Sequence, residues 1–375
     1  MGFLGYVFYI AMALLILMLM VTIHEFGHYI AGKLFKFKIN EFSIGFGKAI
    51  YSKQLKNGEV FSIRLVPLGG YCAFEGEDED ESKATSENAF NKEAWWKRLI
   101  VLFNGAFFNI VSAVIFSFIL LVSVGSGAPI LNSVTATNGN ELVLQQGDVV
   151  VSVEGVEPSF LNGSLTSLLE KYEIGDTIDL VVRRDGEEIP VQISKYMGYF
   201  AAQNGAYVCI DGNYVEYEPD NVSMAGLDRF DAKEVIGVTS KEYYRYSVGE
   251  ALIECVPFTF DMAVMCLDVL GGLVTGAVGL ESVGGPVTTV SSIANAAQTN
   301  MLNVLLLLPL IAVNLGVFNL LPIPALDGAR MVFVLIEGIF RKPIPRNIEA
   351  YIHSVGILLL FGFVILVDVL QIFVF

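Results

Sequence analysis

Two histidines and a glutamate in "VTIHEFGHYI", Val21 to Ile30, are the first residues in the chain whose types and spacing could do chemistry. His24 and His28 are four apart, so on a helix they share a face about 6 Å apart along the axis, close enough to ligate one ion. Glu25 stands beside them, free to act as a base on water that a metal activates. The bland alternative is a satisfied polar pair on a helix. Position weighs against it, because Phe3 to Ile23 carries no charge and ionisable groups in such a span are costly and default to function. The chain has 3 histidines in all, and two of them are here.

The composition says what surrounds them. Apolar residues make up 54%, charged residues 17%, and the mean hydropathy is +0.60, above the ~45–50% apolar content of soluble domains. This is a membrane protein. A net charge of -16 excludes nucleic acid as a partner, since no basic surface is on offer. The 4 cysteines show no CxxC spacing, so neither a disulfide framework nor a zinc knuckle is indicated. Three runs are long and uncharged enough to cross a bilayer without qualification, 1–31, 99–124 and 352–375, and 301–328 supplies a fourth. Residues 251–280 are also apolar, but Glu254, Asp261 and Asp268 recur every seven residues along one stripe, which predicts an amphipathic helix at the interface.

Lysine and arginine orient the spans. Residues 32–98 carry eleven of them and 322–351 four, whereas the longer stretch 124–300 has eight against 24 acidic residues. The first and third connections are therefore expected in the cytoplasm, with both termini outside. A cleaved signal peptide fits poorly, because a basic start and a small-residue cleavage site are both missing before His24. His24 precedes Lys33 by nine residues, about 13 Å of helix, which puts the motif inside the bilayer toward the cytoplasmic face.

Zinc hydrolases generally use three protein ligands and keep a fourth position for water, so one ligand is wanting. A span entering at Met301 brings "NLLPIPALDG", Asn319 to Gly328, to matching depth. Pro322 and Pro324 interrupt that helix, and broken backbone within a membrane is tolerated only where it lines something polar. Asp327 is the carboxylate it presents. His353, at the start of the last span, is the rival; the residues alone favour Asp327 and leave both open.

The connections have order of their own. "INEFSIGFGKAIYSK" and "GEVFSIRLVPLGGY" alternate as strands punctuated by Gly45, Gly47, Gly69 and Gly70, within 32–98. An ordinary solvated hairpin is the competing reading. "EGEDEDES", 75–82, is expected as a solvated acidic loop. Beyond the second span, "LQQGDVVVSVEGV" and "GDTIDLVVRRDGEEIPVQI" give strands around a short helix at 165–172, with Asp-Gly as a hairpin signal. The domain is placed at 130–195, followed by a linker over 196–250.

HEFGH in a first span with "NLGVFNLLPIPALDG" in a later one resembles the site-2 proteases, intramembrane zinc metalloproteases, and specifically the bacterial sigma-factor-regulating branch with an extracytoplasmic PDZ domain. "RLVPLGGYCAFEGED" and "GGPVTT" fit as well, while "NGAFFN" departs, with Ala106 where the family commonly has proline. The resemblance implies one zinc ion on His24, His28 and Asp327, Glu25 as catalytic base, and Asn319 and Pro322 in substrate handling. It implies that the 32–98 hairpin dips into the membrane, and its glycines are candidate substrate-binding positions. The 130–195 region resembles a single permuted PDZ domain. The implied substrate is a single-span membrane protein already shortened by another protease, an anti-sigma factor or a remnant signal peptide, in a bacterial cell membrane. The expected fold is thus an α-helical polytopic membrane protein of four transmembrane helices, with a membrane-associated β-loop and an inserted PDZ-like α+β domain. A catalytically dead PDZ-bearing receptor or scaffold is the alternative reading. A metal transporter is a weaker one, as the chain shows no internal repeat.

Overall fold

A computed structural model of the protein describes residues 3–77, 86–134, 136, 138–201, 205–210, 213–215, 231–342 and 344–374. Most of the acidic run at 75–82 lies outside the described residues. Two compact units emerge, Met1–Ile119 with Ile253–Phe375, and Leu120–Leu252.

In chain order, α1 (Phe3–Leu34) opens the first unit as a helix with no proline, so every backbone donor past its first turn finds a carbonyl. Strands β1 (Ile39–Gln54) and β2 (Val60–Phe74) follow. Their pairing is doubled: Ser43 lies opposite both Tyr71 and Ser62, so β2 flanks the first half of β1 on both sides. This curl depends on glycine. Gly45, at φ +86, takes the left-handed backbone that other residues avoid, and at Gly70 an added Cβ would meet the Ser43 carbonyl. Helix α2 (Trp95–Ser123) then packs against α1 and the sheet around Ala31, Phe42, Phe74 and Val101.

The second unit is built on β3 (Pro129–Val134), α3 (Asn140–Val143), β4 (Val149–Val153), α4 (Leu165–Leu169), β5 (Thr177–Arg184) and β6 (Glu187–Ser194). Strands β7 (Tyr196–Ala201), β8 (Gly205–Ile210), β9 (Asn213–Val215), β10 (Asp231–Val235) and β11 (Val238–Tyr243) complete it. The sequence reading put the domain's end at 195 and a linker beyond. Instead β11 returns to pair with β3, giving an antiparallel sheet of order β11-β3-β4-β5-β6, and β10-β7-β8-β9 form a second sheet. Pairing across about a hundred residues leaves no local trace in composition, which is why it was not foreseen. The Asp185–Gly186 turn joins β5 to β6 with both residues at positive φ (51 and 88), as a type I′ hairpin needs. Alternation on β5 buries Ile178, Leu180 and Val182 against Leu131, Val150 and Leu169.

The chain then re-enters the first unit with α5 (Val248–Thr275), α6 (Pro286–Thr299), α7 (Met301–Leu320), α8 (Asp327–Phe340) and α9 (Arg346–Phe373). Five helices, α1, α2, α5, α7 and α9, are long and apolar enough to cross a membrane. The sequence reading counted four and laid 251–280 at the interface. Its acidic stripe is exposed, yet Cys255, Phe258, Met262 and Cys266 form a buried stripe on α5, and the Thr259 hydroxyl donates to Ser117 Oγ of α2 at 2.8 Å. Helix α6 starts at Pro286, and its first free N–H groups, those of Val287 and Thr288, donate to Asp368 of α9. Helix α8 is tied to the start of α2 by the buried Arg98–Glu337 ion pair.

Candidate metal centre

Three elements meet at one point. His24 and His28 lie on one face of α1, and Asp327 is the first residue of α8, where the helix dipole favours a carboxylate. The His24 and His28 Nε2 atoms are 3.1 Å apart, and Asp327 Oδ2 is 2.8 Å from the first and 3.2 Å from the second. Both imidazoles are buried. Three such nitrogen and oxygen atoms at this range can be bridged by protons or by a single metal cation among them. Tetrahedral zinc with bonds of 2.0–2.1 Å sets its ligand atoms about 3.3 Å apart, so the triangle fits zinc with little adjustment.

The outer nitrogens bear on the same question. His28 Nδ1 is 2.8 Å from the Val101 carbonyl, so it carries the proton and leaves Nε2 as a lone pair toward the centre. His24 Nδ1 lies 3.1 Å from the Asn109 side-chain nitrogen, while Asn109 Oδ1, buried, has no partner among the described residues. Ligation through Nε2 puts a proton on Nδ1. Turned over in place, the Asn109 amide offers Oδ1 to that proton. The donor set therefore suits a metal held by His24, His28 and Asp327.

Helix α2 can come this close because Gly105 faces the imidazoles, where any Cβ would overlap both rings. Glu25 is not part of the triangle. Its Oε2 accepts the Cys72 N–H of β2 at 3.0 Å. A cavity of about 310 Å³ opens beside it, lined by Glu25, His28, Cys72, Glu77, Asp327 and Arg330. Arg330 and Glu77, 2.5 Å apart, join α8 to the end of β2 at its wall.

The remaining candidates fall elsewhere. The Asn319 amide donates to the Leu315 carbonyl one turn back on α7, and Pro322 stands in the break between α7 and α8. Gly45, Gly47, Gly69 and Gly70 shape the β1–β2 sheet. His353 is outside the triangle; its Nδ1 accepts the Ala325 N–H. Sequence reasoning passed over Asn109 and the Val101 carbonyl. The first had a signal, one of the two amides in "NGAFFN" within an apolar span; the second, a backbone atom, had none.

Two buried histidines on a span-length helix, with a carboxylate at the start of α8 and a β-strand alongside, are the arrangement expected of a membrane-embedded metallohydrolase. The sequence profile of peptidase family M50, the site-2 protease family, matches residues 12–363. The chain belongs to that family and is a multi-pass zinc metalloprotease of the membrane. Among its relatives is a Helicobacter pylori protein named "Putative zinc metalloprotease", 30% identical over 374 residues, 96% of this chain and 97% of the relative. A Fusobacterium nucleatum protein, also named as a zinc metalloprotease, is 27% identical over 363 residues, 95% of this chain and 96% of the relative. One from a Nostoc species is 29% identical over 370 residues, 93% and 92%.

Proposed function

We propose that the protein hydrolyses a peptide bond within or near the transmembrane segment of a single-span substrate, in regulated intramembrane proteolysis in a bacterial cell membrane. The carrying observation is the His24, His28 and Asp327 triangle with Glu25 of α1 alongside, hydrogen-bonded to the Cys72 N–H of β2. His24, His28 and Asp327 would hold one zinc ion, which would supply Lewis acidity toward water and the scissile carbonyl. Glu25 takes the water proton and returns it to the nitrogen of the leaving amine, so that water adds across the amide bond. The imidazoles are held for this by the Val101 carbonyl and Asn109.

A transmembrane helix has its carbonyls engaged in its own hydrogen bonds, so it must unwind to be cut. The 70–74 edge of β2 supports strand addition as the way to satisfy the released groups, because its Cys72 N–H already points at Glu25. In this reading the glycines at 45, 47, 69 and 70 serve the substrate by shaping that edge. With α5 lying at the interface and the other four long helices crossing, the second unit is read as a PDZ-like domain outside the cell with both termini. A cavity of about 470 Å³ between α4 and the edge strand β11 suits an extended peptide there. Substrates would arrive already shortened by another protease. The test is E25Q, assayed in membranes against a tagged single-span substrate, with zinc measured in parallel. Full zinc with cleavage reduced at least 10²-fold is expected; retained cleavage would sink the mechanism.

A further inference from the structure

Asp327 is placed by a turn of unusual composition. Ile323 to Leu326 close on themselves through the Leu326 N–H and the Ile323 carbonyl, 3.1 Å apart, with Pro324 and Ala325 at the centre. Ala325 has φ +88, the value of the third position in a type II turn, which ordinarily goes to glycine because a Cβ is crowded there. Alanine by itself prefers the type I form, in which no positive φ is needed. The two forms differ chiefly in which way the Pro324–Ala325 peptide faces. Its N–H belongs to Ala325, and that N–H donates to His353 Nδ1 of α9 at 3.1 Å.

The supports of His353 are equally specific. Its ring sits against Phe333 of α8, with centroids 5.6 Å apart. One turn further along α9, Gly356 leaves room for Pro324, into which any Cβ would run. The turn is thus pressed onto α9 at Pro324 and bonded to it at Ala325, two residues before Asp327.

We propose that His353 is a positioning residue for the metal centre: by accepting the Ala325 N–H it selects the type II facing of the Pro324–Ala325 peptide and so sets Asp327 against His24 and His28. The type I facing would turn this N–H away from α9 and shift the start of α8. The inference rests on Asp327 being a metal ligand, and the experiment separates the two.

Zinc affinity is measured on purified full-length protein by competition with a chromogenic chelator. The series is H353A, H353N, A325G, the double variant A325G/H353A, and D327N. H353A is expected to bind zinc about 10–100-fold more weakly, the usual cost of removing an outer-shell partner. H353N, whose Oδ1 falls where Nδ1 was, should stay within about twofold of the parent, and so should A325G/H353A relative to A325G, since glycine makes the type II turn intrinsic. If H353A unfolds, recovery of thermal stability on adding A325G reports the same dependence, and no recovery counts against it. Equal losses in both backgrounds, or none in H353A, would overturn the inference alone. Zinc retained in D327N would overturn the ligand assignment and the inference with it.

Discussion

At the scale of single residues, the metal centre divides into atoms that sequence can announce and atoms that it cannot. His24 and His28 declare themselves because a four-residue interval has one meaning on a helix, and Asp327 because prolines break an apolar span just before it. Asn109 declares little: an asparagine in a span is as often a helix contact. Its place opposite His24 Nδ1 gives it work that can be checked. Replacing it by leucine should weaken zinc binding about 10–100-fold, whereas aspartate, which keeps an acceptor for the imidazole N–H, should bind nearly as the parent does. Chelator competition on the two variants decides it, and equal weakening in both would deny Asn109 this role. The Cys72 N–H and the Val101 carbonyl could not have been read at all. Every residue carries those groups, and only the fold aims them.

At the scale of elements, alternation and glycine spacing marked the β1–β2 pair, but not how it is tied to α1. The tie is Glu59, at the turn end of β2, whose buried carboxylate accepts from Tyr29 and Asn57 at 2.7 and 2.8 Å and pairs with Lys33. Burial alone would raise this carboxyl, but hydrogen bonds from Lys33, Tyr29 and Asn57 outweigh it and hold the group below its ordinary range. A carboxyl depressed by folding stabilises above its unfolded value and ceases to as pH falls through the folded one. The turn at 55–59 should therefore hold at neutral pH and loosen below about pH 4, nearer the unfolded value and beyond. E59Q should loosen it at neutral pH by about 1–2 kcal/mol and remove the loss on acidification. Hydrogen exchange of the 55–63 amides, corrected for intrinsic rates, is the measurement; protection unchanged in E59Q would remove Glu59 as the fastening. Helix α5 shows the opposite kind of illegibility. Its acidic stripe was visible in sequence and its buried stripe was visible too, but which of them governs depends on α2 supplying Ser117 and its neighbours.

At the scale of the whole molecule, the chain spends two unrelated kinds of stabilisation. Lipid-facing helices need only satisfy their own backbones and pack where they touch, so the first unit can carry a polar centre provided each polar atom has a partner. The Leu120–Leu252 unit must instead earn its fold from a small core, centred on Ile178, Leu180 and Val182, and from fastenings around it. One of these is Arg184, which grips Asp148 with two bonds of 2.7 Å, Asp148 itself being buried, and also donates to the Val143 carbonyl. That clamp fixes β5 to the turn before β4, and nothing in the spacing of Asp148 and Arg184 foretold it. D148N breaks the charge and one acceptor while keeping the shape, and should cost this unit about 2 kcal/mol. The proposed zinc ligands, His24, His28 and Asp327, all belong to the other unit, so metal content should be untouched. Thermal unfolding followed by protease sensitivity between 124 and 247, alongside zinc stoichiometry, tests both halves of the expectation. Zinc lost in step with this unit's stability would mean that the metal centre depends on the extramembrane fold, and that the two kinds of stabilisation are not separable.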